Sequence, residues 1–280
     1  MPDVIERLGH SLIQHGPDSD RIYLMKLAPA DAPAIVERIE RLAETRDYGK
    51  LFCKVPAPWR EPFVQAGYQE ETRIPNFYAG RIDVAFLSRF RKPERATMPA
   101  EQKTAVDNVL ELALARRRDA ESRPTAETRR LLEDDTPALA DLYRLVFPSY
   151  PFPIFDADYL RHTMATHIRY YGAFDGDRLV AAASAETDPE GRNAEMTDFA
   201  TSPEHRKKGL AVALLLAMES DMKDTGFLTL YTIARAVSAG MNITFARCGY
   251  TFSGTLVNNT QISGGIESMN VWYKNLTTPP

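Results

Sequence analysis

Cysteine is scarce in this chain of 280 residues, which holds only Cys53 and Cys248. Two thiols cannot build a disulfide framework, so the fold must rest on an apolar core, and both read as reduced thiols. Long apolar runs are missing as well, which argues against a membrane-spanning helix. The opening residues MPDVIERLGH are acidic and polar, whereas a secretory leader is basic and then apolar. Basic excess is absent: 34 Lys and Arg stand against 38 Asp and Glu, a formal net charge of -4. That balance lacks the footprint nucleic acid requires. Neither nucleic acid nor membrane is expected as a partner, no metal is expected, and the expected location is cytoplasmic.

What is present suits a globular protein, with 44% hydrophobic and 26% charged residues. The length allows one large domain or two small ones. Residues 91–124 lack both glycine and aromatics, and Pro93, Pro99 and Pro124 punctuate them. Val106, Leu110 and Leu114 recur there at helical spacing. This predicts a helical linker over 96–125, between an N-terminal unit (1–95) and a C-terminal unit (126–280).

The C-terminal unit reads as alternating elements. A short strand over 128–132 precedes a helix announced by Asp134-Asp135-Thr136-Pro137, with Leu139, Leu142, Leu145 and Val146 as its apolar positions. An aromatic, proline-rich loop (149–156) leads to a second helix. Strands over 168–174, 178–186 and 193–201 follow, the first two joined at Asp175-Gly176, a hairpin signal. Next come a helix over 207–224, a strand over 228–234 and a helix from Ser238 to Gly249. Two final strands, 250–257 and 267–276, are joined by a polar loop. The fold class is α+β, a mixed and mostly antiparallel sheet flanked by helices.

The N-terminal unit carries an echo of this order. Phe63-Val64-Gln65-Ala66-Gly67-Tyr68 matches Phe245-Ala246-Arg247-Cys248-Gly249-Tyr250 at phenylalanine, glycine and tyrosine. Upstream, a helix over 31–44 and a strand over 50–55 mimic 207–234. A degenerate half-repeat of the same fold is expected.

The motif that carries chemistry is Arg206-Lys207-Lys208-Gly209-Leu210-Ala211, between a strand and an apolar helix. The unpaired N–H groups of a helix start, with the positive end of its dipole, form a cradle for a pyrophosphate. Gly209 lets the backbone approach, Ala211 keeps the next position small, and the lysines add charge. The bland alternative is a plain helix start beside a basic cluster.

With AEMTDFATSP before it, this motif resembles that of the GNAT superfamily of acetyl-CoA-dependent N-acyltransferases, over about residues 126–280. The resemblance implies that Arg206, Lys207, Lys208, Gly209, Leu210 and Ala211 hold the pyrophosphate of acetyl-CoA. It implies further that Phe199, Ala200 and Thr201 pair with the pantetheine arm, and that Asn242 contacts the cofactor from the following helix. The runs AEMTDFATSP, YTIARAVSAGMN and GTLVNNTQISGGIESMNVWYK are similar to the β-lysine N-acetyltransferases, which acetylate a side-chain amine to make a compatible solute. The alternatives are the same chemistry on another amine (a polyamine, an aminoglycoside, a protein lysine) or a non-catalytic acyl-CoA-binding module.

A lysine-type ammonium has a reference pKa near ~10.4, so the site must remove its proton at a cost of about 4 kcal/mol near neutral pH. Glu195 is the first candidate base, as in the histone-acetylating branch of the superfamily, and Asp198 the second. Regular alternation puts Glu195, Thr197, Phe199 and Thr201 on one face and Met196, Asp198 and Ala200 on the other, so both acids reach one site only through a bulge. The tyrosine that many family members use as general acid is Phe245 here, leaving Tyr231, Tyr250 or solvent. For a substrate with two ammonium groups and a carboxylate, Glu186, Asp198 and Glu267 are candidates to meet ammonium. Arg235, Asn258 and Asn259 are candidates for carboxylate. Tyr150 and Phe152 are expected to wall the entrance. A small-molecule amine is the expected partner, and a homodimer is allowed.

Overall fold

The computed structural model describes residues 3–116 and 126–276. The chain begins with strands β1 (Val4–Leu8), β2 (Ser11–Gly16) and β3 (Arg21–Lys26), helix α1 (Ile35–Arg46) and strand β4 (Lys50–Pro56). Helix α2 (Arg60–Gln65) and strands β5 (Gln69–Tyr78) and β6 (Ile82–Phe90) complete a six-stranded sheet of order β1-β2-β3-β4-β6-β5. Its only parallel neighbours are β3 and β4, joined by α1. Ile13, Ile22, Leu24, Leu51, Cys53 and Val55 pack one face of this sheet under Ile35, Ile39 and Ala43 of α1.

A short helix α3 (Pro93–Ala96) and helix α4 (Ala100–Ala115) follow. The buried stripe of α4 is Val106, Val109 and Ala113, while Leu114 is exposed, so the expected Val106–Leu110–Leu114 face is rotated. Ala113 and Leu110 pack into the core of the second sheet, which attaches this helix to the C-terminal half. The rest of the expected linker, 117–125, lies outside the described residues.

The second half comprises β7 (Thr128–Arg130), α5 (Thr136–Val146), α6 (Ala157–Thr166), β8 (Ile168–Asp175), β9 (Arg178–Asp188), β10 (Asn193–Thr201), α7 (Leu210–Asp224), β11 (Thr229–Arg235), α8 (Ala239–Arg247), β12 (Thr251–Ile262) and β13 (Gly265–Asn275). Its sheet order is β12-β13-β11-β10-β9-β8-β7, again with one parallel pair, β10 and β11, joined by a helix. Read from β8, this is the order of the first sheet strand for strand; the second half adds β7, α5 and α6. Some details depart from expectation. Leu145 of α5 is exposed, and no polar loop spans 258–266. A bulge between Leu256 and Thr260, with Asn258 at φ 44°, carries β12 on to Ile262, and Ser263-Gly264 makes the turn.

The second sheet is covered on one face by α7 and α8 and, on part of the other, by α5 and α6. The two sheets meet across an apolar layer in which Tyr23, Phe52, Phe77 and Phe86 touch Tyr231, Leu256, Met269 and Val271. Polar links cross the same seam. Lys50 Nζ donates to Glu71 at 2.9 Å and to the Val257 carbonyl at 2.7 Å, and Val257 N–H donates to Glu71 at 2.7 Å. No helix among the described residues is long and apolar enough to cross a membrane.

Candidate active site

β10 and β11 pair only at Asn193–Thr229, Ala194–Leu230 and Glu195–Tyr231, and then diverge. The divergence leaves backbone groups of β10 facing an open wedge, whose walls include Thr197, Phe199, Thr201, Thr232, Ile233 and Ala234. The wedge opens into a cavity of about 840 Å³ that runs from the start of α7 to the first sheet. At the α7 end, Gly209 is the N-cap at φ 77° and Lys207 lies at φ 64°. The first helical bond is Ala213 N–H to the Gly209 carbonyl, so the N–H groups of Leu210, Ala211 and Val212 have no intrahelical acceptor. The helix therefore starts at 210, not 207, and the basic residues lie in the loop before it. That loop is anchored by a chain: Ser202 Oγ and His205 Nδ1 are 2.8 Å apart, and His205 Nε2 and Asp175 Oδ2 3.0 Å. An anion-holding turn, a splayed pair of parallel strands and a cavity fit a long phosphorylated cosubstrate.

A bulge in β10 between Thr197 and Ala200, with Asp198 at φ 54°, shifts the phase of the strand. Before it, Ala194 and Met196 face the α7 core, and after it Phe199 does, with its ring edge-on to Phe245. Ala200 turns to the α5 side. Phe199 therefore does not share the Glu195 face, as regular alternation would require. Asp198 and Glu195 both line the cavity, together with Glu186.

Three carboxylates thus share one wall. Glu186 is directly opposite Glu195 across the β9–β10 ladder, an unfavourable placement for like charges. Burial, then Glu186, raises the Glu195 carboxyl to about 7, against the opposing pull of Lys54 and a hydrogen bond from Tyr231. Burial also raises Asp198, while Ser184 Oγ, donating at 2.5 Å, and the Tyr150 hydroxyl hold it in place. Lys54 comes from the first sheet and donates to the Tyr231 hydroxyl at 3.1 Å.

Residues 137–250 match the profile of the acetyltransferase (GNAT) family. The chain is 38% identical, over 98% of its length and 99% of the relative's, to a beta-lysine N(6)-acetyltransferase of Methanococcus maripaludis. It is 32% identical to the enzyme of that name from Methanosarcina mazei, over 86% of this chain and 97% of that one. The chain belongs to the GNAT acetyltransferase family. Among solved structures, a probable acetyltransferase from Staphylococcus epidermidis is similar at 15% identity and a TM-score of 0.48, covering 55% of this chain and all of that one.

GNAT acetyltransferases use acetyl-CoA, and the residues expected to serve it here separate into two groups. Phe199, Thr201, Arg206, Lys207, Gly209, Leu210 and Ala211 line the cavity; Lys208 and Ala200 do not. Asn242 is fully buried and committed elsewhere. Its amide donates to the carbonyls of Arg235 and Ser238, and its oxygen accepts from Asn270 and from Trp272 Nε1, so no group remains for a cofactor. Tyr250 packs against Phe245 in the core beside Glu219, outside the cavity wall, which removes it as general acid.

On the amine side, Tyr150, Phe152, Glu186, Arg235 and Asn259 line the cavity. Glu267 does not; it forms a bidentate pair with Arg235 at 2.6 and 2.8 Å, so each neutralises the other. Asn258 turns away, donating to the Glu94, Arg95 and Thr97 carbonyls and tying α3 to β12. Sequence reasoning allowed the N-terminal half a part in shaping the amine pocket but named none of its residues: Arg21, Tyr23 and Lys54 all line the cavity. The available signal was a basic residue, Arg21 or Lys54, set among the apolar residues of β3 and β4.

Proposed function

We propose that this GNAT enzyme transfers the acetyl group of acetyl-CoA to the N6 amine of β-lysine, with Glu195 as general base. The observation that carries the reading is the carboxylate wall of Glu186, Glu195 and Asp198 lining the cavity at the open end of the β10–β11 wedge. The chain's likeness, over nearly its whole length, to relatives named for this reaction supports the choice of amine.

Acetyl-CoA supplies an activated acyl carbonyl. In this reading Arg206, Lys207 and the free N–H groups at the start of α7 hold its pyrophosphate. The unpaired backbone of β10 around Phe199, Ala200 and Thr201 aligns its pantetheine arm. Glu186 and Asp198 draw an ammonium group into the cavity. Glu195, raised toward neutrality, takes the N6 proton at working pH and leaves a nucleophilic amine. Phe245 stands where many family members have a tyrosine, and neither Tyr250 nor Tyr231, whose hydroxyl is bonded to Glu195, lines the cavity, so in this reading the departing thiolate takes its proton from solvent. The product keeps one ammonium and one carboxylate and is net neutral, a property suited to a compatible solute.

The test is a product assay with acetyl-CoA and a panel of β-lysine, α-lysine, spermidine, an aminoglycoside and a lysine peptide, read by mass spectrometry. N6-acetyl-β-lysine as the dominant product is expected. Preference for another amine would overturn the substrate, and no turnover on any amine would overturn the activity.

A further inference from the structure

The far end of the cavity is built by the first sheet together with β12, and it holds two buried polar atoms without a hydrogen-bond partner among the described residues. Arg21 is 4% exposed and lies on the cavity wall. Its Nη1 donates to the Asn259 carbonyl at 2.7 Å and its Nη2 to Gln14 Oε1 at 2.9 Å, but its Nε is buried without a partner. It forms no ion pair among the described residues; Asp3 reaches it only through space. Asn259, 2% exposed, also lines the cavity, and its side-chain oxygen is the second buried atom without a partner. A guanidinium unpaired with any carboxylate and an amide oxygen unpaired with any donor are each costly to bury. Here they sit side by side, joined by the Arg21–Asn259 bond. The Arg235–Glu267 pair offers no such free valence.

These orphans have opposite sense, one donor and one acceptor. A β-amino acid head offers the complement: a carboxylate and, one carbon beyond the intervening methylene, an ammonium. The span is suitable too. Arg21, Tyr23 and Met25 alternate along β3 toward the cavity, so Arg21 and Tyr23 are about 7 Å apart. Burial and the nearby Glu195 and Glu186 push the Tyr23 hydroxyl well above its ordinary value, while Arg21 opposes them, which puts Tyr23 between the two ends. In extended β-lysine the N6 atom and the carboxyl carbon are separated by about 8 Å.

We propose that Arg21 and Asn259 form the amino-acid head subsite of the substrate pocket: Arg21 binds the carboxylate and the Asn259 side-chain oxygen accepts from the 3-ammonium. Resting on the function proposed above, this shares substrate selection between Arg21, from the half of the chain that carries no acetyl-CoA motif, and Asn259, from β12 of the half that does. The guanidinium offers a planar fork of donors suited to a carboxylate, and it lies against the neighbouring Tyr23 and Phe52 rings, 5.2 and 5.9 Å from their centres, which helps to hold it in place.

The experiment compares steady-state kinetics of the full-length enzyme and Arg21→Gln on three acceptors. These are β-lysine, 1,4-diaminopentane (which lacks the carboxylate) and 6-aminohexanoate (which lacks the 3-amine). Arg21→Gln should lower kcat/KM roughly 10- to 100-fold on β-lysine and 6-aminohexanoate, mainly through KM, and leave 1,4-diaminopentane within about twofold. Asn259→Leu should show the complementary pattern, sparing 6-aminohexanoate. Unchanged acetyl-CoA affinity by calorimetry confirms an intact cosubstrate site. Equal losses on all three acceptors, or none on β-lysine, overturn the subsite. If Arg21→Gln does not fold, Arg21→Lys is read the same way, since it keeps the charge but loses the fork. Wild-type enzyme that acetylates 1,4-diaminopentane and ignores β-lysine would instead defeat the parent reading.

Discussion

A carboxyl raised to about 7 is half protonated at a pH where an ordinary glutamate is almost wholly ionised, and that has two measurable consequences at Glu195. As a base it must be ionised, so kcat/KM should fall about tenfold per pH unit below about 7. Glu195→Gln should lower kcat roughly 100- to 1000-fold near neutral pH, with the deficit narrowing in alkaline solution as the amine deprotonates unaided. Wild-type rates in the variant at pH 7 would transfer the role to Asp198. Stability moves the opposite way. Between its ordinary 4.5 and about 7 the folded chain holds a proton that the unfolded chain releases, so stability falls as pH rises through that window. The glutamine has no such ionisation to suppress, and at pH 8 the variant should melt higher, by at most about 3 kcal/mol of unfolding free energy. Calorimetric scans at pH 5 and pH 8 check this; a gain at pH 5 as large as at pH 8 would contradict the cause.

The start of α7 and the bulge of β10 show how differently two elements declare themselves. The anion turn was legible because its chemistry is local: a glycine at positive φ, small residues and basic neighbours within six positions. Gly209→Val places a β-branched residue in the left-handed region at the N-cap, and acetyl-CoA affinity should drop more than about tenfold while the far-ultraviolet circular dichroism is kept. Affinity unchanged in a calorimetric titration would remove the turn from the site. The bulge was legible only as a requirement, since Asp198-Phe199 carries neither glycine nor proline to mark it. Aspartate tolerates φ 54°, and the bonds from Ser184 and Tyr150 hold it there. Asn242 failed as an expectation for a related reason. A polar residue in a helix invites a ligand, but of its four bonds only the one to Ser238, four residues back, follows from spacing along the chain; the others go to the end of β11 and to β13.

Across the whole molecule the strand order of both halves follows from short connections and apolar alternation, whereas their seam joins residues far apart in sequence. Lys54 meets Tyr231, Arg21 meets Asn259 and Lys50 meets Val257, contacts that no local pattern announces. Lys50 and Glu71 are a buried pair, so Glu71→Ala should cost about 3–5 kcal/mol by leaving the ammonium without its partner. Urea unfolding checks it, and a loss under about 1 kcal/mol would show the seam to be held by apolar contact alone. The first half begins α1 without a glycine cap. In its place the Asp31 carboxylate accepts the His10 and Ser11 N–H groups at 2.7 Å and occupies the turn with negative charge. Calorimetry should therefore count one acetyl-CoA per chain, and two would refute this account.

Two sheets of one strand order, facing each other in a single polypeptide, are released from a constraint that binds a symmetric pair of subunits. In a twofold dimer every substitution appears twice, so a residue that improves one site is imposed on the other. Here the halves vary independently. One can keep an anion turn while the other closes its own with Asp31. An arginine at position 21 can serve a pocket across the seam without any counterpart having to tolerate it.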